Sequence, residues 1–142
     1  MIKRDNVRVC VPRYLQIGKG SLNELPEIIK ILGSINSLLI VTDKQMVKFG
    51  YVKKLQEVLS KEGIKSDVFD DTVPDPTDTV VLNGINFLEK CKNDAVIGFG
   101  GGSPIDTAKA IAAMAKYSKN IQDYKPPLMF DKKGLPIIAI PT

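Results

Sequence analysis

The chain has 142 residues, 20 Lys and Arg against 16 Asp and Glu, a net charge of +4, and no histidine. Its 44% hydrophobic and 25% charged shares suit one soluble globular domain with a sizeable core, and the basic residues form no aromatic-interleaved run, which argues against nucleic acid as a partner. The opening Met1–Asp5 lacks the apolar stretch of a secretory signal, no run approaches the roughly 18 apolar residues of a membrane span, and the missing imidazoles exclude a His general base or His-ligated metal supplied by this chain.

Val7, Val9 and Val11 alternate with Arg8 and Cys10, and after Pro12 the segment Tyr14–Ile17 resumes, predicting one or two edge strands. Ser21 and Glu24 have the spacing of a capping box. Leu22, Leu25, Ile28, Ile29 and Leu32 then recur at helical intervals up to Gly33, predicting a single amphipathic helix over 22–32. Leu38–Val41 is short, apolar and β-branched at its end, as a strand buried on both faces is. Val52, Leu55, Val58 and Leu59 predict a helix stopped by Gly63; Val68-Phe69 predicts a weaker strand; Val81, Ile85 and Leu88 predict a third helix.

Ala95–Phe99 reads as another buried strand. The helix after it has Ile105, Ala108, Ile111, Ala112 and Ala115 on its apolar face. Asn120–Gly134 is polar and proline-bearing, a long loop, and Leu135–Ile140 is the last buried strand. Strands alternating with helices predict a doubly wound, Rossmann-like parallel sheet, in which ligands bind at the carboxyl ends of the strands. Cys10 and Cys91 stand alone, which predicts reduced thiols and a cytoplasmic location.

The chemistry concentrates in Gly100-Gly101-Gly102-Ser103, between a buried strand and a helix. Missing Cβ atoms let the backbone turn sharply and approach a ligand, Ser103 suits the N-cap, and Pro104 suits the first helical position. The unpaired N–H groups and dipole of a helix start attract an anion, and a pyrophosphate fits; a plain strand-to-helix turn is the alternative. Gly98-x-Gly100-x-x-Ser103 departs from GxGxxG in its last position, and no GxxxxGK is present, which argues against a P-loop hydrolase. Asp43, ending the first long buried strand, can accept both ribose hydroxyls of an adenosine and repel a 2′-phosphate, favouring NAD over NADP; it can equally cap the helix after it. Asp106 can cap its helix or pair with Lys109 three residues on, and Asp75-Pro76-Thr77-Asp78 repeats the same inexpensive cap pattern.

Val41-Thr42-Asp43-Lys44, Val73-Pro74-Asp75-Pro76-Thr77, the decamer Gly100–Lys109 and Ile140-Pro141-Thr142, in that order, resemble the iron-containing (group III) alcohol dehydrogenases over essentially the whole chain. The resemblance implies NAD as cofactor, with Asp43 at the adenosine ribose, Gly100, Gly101, Gly102 and Ser103 at the pyrophosphate and Asp106 toward the nicotinamide. It places Thr142 at the start of a cofactor-touching Thr-rich loop and counts Asp75 among the cofactor-binding residues. It also implies a second, helical domain binding Fe²⁺ or Zn²⁺ through one Asp and three His. The chain, residues 1–142, is therefore expected to be the dinucleotide-binding half of a longer protein, with no catalytic residue or metal ligand of its own and no activity alone. The parent activity is reversible oxidation of a small alcohol to an aldehyde or ketone, in a homo-oligomer such as a dimer, without membrane or nucleic-acid partners. Glycerol dehydrogenase, butanol or lactaldehyde reductase, and a non-catalytic nucleotide-binding remnant are the alternatives.

Overall fold

The computed structural model describes residues 12–75, 77–117 and 133–142. A 3-10 turn at Ser21–Glu24 leads into α1 (Leu25–Leu32), followed by β1 (Ser37–Val41), α2 (Lys44–Lys48), α3 (Tyr51–Lys61) and β2 (Lys65–Phe69). Then come α4 (Asp78–Cys91), β3 (Ala95–Gly100), α5 (Gly102–Met114) and β4 (Ile137–Pro141). The four strands form one parallel sheet in the order β2-β1-β3-β4. Val41 lies beside Phe69 on one side and Gly98 on the other, and Gly98 lies beside Ala139.

Alternation along β1 divides the core in two. Leu38 and Ile40 pack with α1 and α3 through Leu25, Ile29, Val52, Leu55 and Leu59. Leu39 and Val41 face the opposite way and pack with Val81, Ile85 and Leu88 of α4 and Ala108 and Ile111 of α5. Helices on both faces make the sheet doubly wound, as the alternating pattern predicts. β1 and β3 are the two inner strands, and all six residues of β3 are buried. Each large side chain buried completely here contributes about 1.5–3 kcal/mol relative to leaving it in water.

Several expectations are corrected. The single helix over 22–32 is a 3-10 turn and a shorter α-helix. Pro26 has no N–H to reach back to the carbonyl of Leu22, so α-helical bonding begins only around it. The capping box does not form: Ser21 Oγ donates to the Gly18 carbonyl, and Glu24 Oε2 accepts from Gln16 Nε2 at 2.6 Å. Tyr14–Ile17 is exposed and forms no strand, with Ile17 82% accessible. Val7–Val11 lies outside the described residues, as does most of the loop expected over Asn120–Gly134. The short helix α2 has no counterpart in the periodicity. The last strand begins at Ile137 rather than Leu135 and alternates exposed with half-buried residues, because among the described residues β3 alone pairs with it and it lies at the edge of the sheet.

Two glycines set the closeness of the layers. A methyl group on Gly98 would lie 2.9 Å from Ala108 Cβ and 3.0 Å from Ile105 Cα, so α5 rests directly on the backbone of β3. One on Gly84 of α4 would collide with the Ile111 side chain of α5. Gly98→Ala is expected to push α5 off the sheet and lower unfolding free energy by about 1–3 kcal/mol, measured as a lower urea midpoint at unchanged slope. A midpoint equal to wild type would show that the helix is not seated as closely as described.

Candidate functional site

In the order β2-β1-β3-β4 the chain leaves β1 toward β2 and later crosses back to β3 on the other side of β1. The carboxyl ends of β1 and β3 therefore diverge into connections on opposite faces, the crevice where open α/β sheets place ligands. A cleft of about 320 Å³ lies there, walled by Asp43 and Gln45 after β1, by Thr72, Val73 and Pro74 after β2, and by Gly101, Gly102, Ser103 and Pro104 after β3.

Each wall has a local cause. Asp43 is extended and caps α2, its Oδ1 accepting from the backbone N–H groups of Gln45 and Met46 at 2.9 Å each. The capping alternative is thus realised, and it uses only one carboxylate oxygen. The other, Oδ2, faces the glycine turn, 3.5 Å from where a Cβ on Gly100 would sit. Lys44, next in the chain, pairs with Asp71 at 3.1 Å, and the hydrogen bond to that carboxylate raises its pKa above the usual lysine range.

The turn is built by Gly100, whose φ of +137° suits glycine and whose missing side chain leaves room for Pro104 Cγ, 3.1 Å from the Cβ position. Gly101 follows in extended conformation as the N-cap of α5, with no side-chain cap bond. Ser103 is therefore not the N-cap and Pro104 not the first helical residue. The sharp bend falls at Gly100, so the helix begins at Gly102 and Pro104 occupies its third position, where its missing N–H is still one the helix leaves unpaired. Around Gly101 and Gly102 no atom of the described residues lies within 4 Å of an added Cβ, at the start of a 13-residue helix. Uncapped N–H groups and the positive end of the helix dipole would favour an anion at this end.

Thr142 also reaches the turn, its N–H donating to the Gly100 carbonyl at 3.2 Å and its Oγ1 lying 3.9 Å from Met46 Sδ. Asp43, the glycine turn, Ser103 and Thr142 thus converge. Asp75 is exposed with φ +55° and does not wall the cleft, although Thr72–Pro74 before it do. Asp106 points to solvent and pairs with Lys109 at 2.9 Å. Pattern reasoning missed Gln45, Thr72, Val73 and Pro74 as wall residues. Only the known topology brings the connection after β2 over this crevice.

The model for the iron-containing alcohol dehydrogenases matches residues 12–142. The chain belongs to that family. It is 36% identical over 138 residues to long-chain-alcohol dehydrogenase 1 of Geobacillus thermodenitrificans, covering 95% of this chain and 35% of that protein. It is 35% identical over 137 residues to lactaldehyde reductase of Escherichia coli K12, with 95% and 36% covered. Among solved structures, sulfoacetaldehyde reductase of Bifidobacterium kashiwanohense in complex with NAD⁺ superposes with a TM-score of 0.77 at 32% identity, over 87% of this chain and 32% of that one. The chain thus spans about a third of the length of these family members. The family's name implies iron, but the chain has no histidine, and among the described residues no three His, Cys, Asp or Glu gather where a metal could sit. These residues do not fit a metal.

Two glycine variants separate architecture from binding surface. Gly100→Ala is expected to cost about 1 kcal/mol or more, because φ +137° and Pro104 both oppose a side chain. Gly101→Val, on extended backbone beside open space, is expected to leave the melting temperature nearly unchanged while blocking the anion site. Circular dichroism melts and NADH titration of both check this; equal melting losses for the two would contradict the described turn.

Proposed function

We propose that this chain forms the NAD(H)-binding part of an alcohol dehydrogenase acting reversibly between a small alcohol and its aldehyde or ketone. The observation that carries the reading is the meeting of an uncapped, glycine-opened helix N-terminus with a carboxylate at the switch point between β1 and β3. A pyrophosphate against Gly101, Gly102 and Ser103 would be held by backbone N–H groups without side-chain interference. Asp43 would accept the adenosine ribose hydroxyls through the oxygen that capping leaves free, and its charge would repel a 2′-phosphate. NAD supplies the hydride acceptor; this chain's residues bind and orient it. Thr142 belongs to the same reading through its contact with the turn, whereas Asp75 and Asp106 enter it by family resemblance alone. A cytoplasmic homo-oligomer completes the proposal.

Cofactor choice tests the role of Asp43. Asp43→Asn keeps an N-capping oxygen and removes the charge, so the fold is retained. Isothermal titration should show NADH binding wild type more tightly than NADPH, and the variant losing discrimination by about 1–3 kcal/mol. Tighter NADPH binding by wild type would sink the assignment.

The 142-residue chain is also expected to show no alcohol-dependent NAD reduction, with or without added Fe²⁺ or Zn²⁺. Hydride transfer requires the substrate oxygen to be positioned and polarised beside the nicotinamide, and those two effects supply most of an enzyme's rate. The chain has no histidine, and among the described residues no three His, Cys, Asp or Glu gather to hold a polarising metal. Nicotinamide absorbance with a panel of small alcohols checks this. Sustained turnover by repurified chain would place the catalytic groups within it.

A further inference from the structure

The last paired residues of β1 and β3 are Val41 and Gly98. Beyond them a side chain makes the next connection. Thr42 is completely buried, and its hydroxyl donates to the Phe99 carbonyl at 2.8 Å. That carbonyl shares a rigid peptide plane with the N–H of Gly100, so the bond fixes the first peptide of the glycine turn. The Thr42 N–H donates to the Phe69 carbonyl at 2.9 Å, and the Thr42 carbonyl accepts from Thr72 Oγ1 at 2.7 Å. One residue, adjacent to Asp43, thus ties the end of β1 to β3, to β2 and to the Thr72–Pro74 wall of the cleft.

Resting on the dinucleotide reading above, we propose that Thr42 is a positioning residue: its hydroxyl sets the pyrophosphate turn at a fixed distance and angle from the ribose-binding carboxylate of Asp43. The turn needs such an anchor because Gly100, without Cβ, restricts its own dihedrals little. The other described anchor is the Thr142 N–H on the Gly100 carbonyl, one peptide later. Without the hydroxyl, the Phe99 carbonyl is left unpaired in a buried place, and the peptide relieves this by rotating toward another donor. Rotation there swings Gly101 and Gly102 away from Asp43. A dinucleotide gripped at both ends senses that change, whereas a purely structural role affects only stability.

Thr42→Val keeps the branched shape and removes the hydroxyl; Thr42→Ser keeps the hydroxyl and removes the methyl group. NADH affinity is measured by titration and stability by urea unfolding, on the 142-residue chain. The proposal expects Thr42→Val to bind NADH about tenfold more weakly. Thr42→Ser should bind like wild type although its lost methyl packing lowers stability. Should Thr42→Val fail to fold, Thr42→Cys, of similar size and a weaker donor, replaces it with the same expected direction. Wild-type affinity in the variant lacking the hydroxyl, or losses in the two variants that follow stability, overturns the proposal while leaving the dinucleotide site standing. Absence of NADH binding by wild type overturns both.

Discussion

The candidate site depends on how closely α5 lies on β3. Gly98 lets Ala108 and Ile105 sit against strand backbone, and Gly84 lets α4 close over Ile111 on the same face. With the helix seated that low, its first turn opens directly over the carboxyl end of a fully buried strand. An interior packed to crystal density does not yield gradually, so the position of this helix start is well defined. The glycines divide the labour: Gly98 makes contact possible, Gly100 makes the bend, and Gly101 and Gly102 leave a surface free.

In the proposed reading, Asp43 would join a structural and a functional role in one side chain. Capping takes one carboxylate oxygen and in doing so fixes the direction of the other. A flexible carboxylate would lose rotamer entropy on meeting a ligand; this one has already lost it in folding. The cap is therefore a form of preorganisation. It also explains why α2 can be only five residues long: two of its unpaired N–H groups are satisfied by the residue that starts it.

Much of the fold was legible because its signals are strong and local. The runs Leu38–Val41 and Ala95–Phe99 are apolar on both faces, and only a sheet covered by helices on both sides accommodates them. Illegible parts had competing physics. Leu22 fits the helical stripe of Leu25 and Ile29, but Pro26 forbids the bond that would include it. Ser103 has the chemistry of an N-cap, yet the left-handed bend at Gly100 moves the helix start forward by two residues. Leu135–Ile140 reads as a buried strand because its apolar content is high, whereas burial depends on the neighbours it acquires. At the site, Asp43 and the glycines could be singled out by residue type. Thr42 and Thr72 could not, since a threonine at a strand end is ordinary until its partners are known.

Among the described residues β4 is an outer strand, which has a consequence for how the chain behaves among copies of itself. An outer strand offers its free backbone groups to any extended segment it meets, the route to strand exchange and to fibrous association. β4 is short, and proline bounds it at both ends, Pro136 just before it and Pro141 as its last residue. A template so brief, interrupted where a visiting strand would need a donor, supports little recruitment, so Ile137 and Ala139 can stay partly bare without making the sheet sticky.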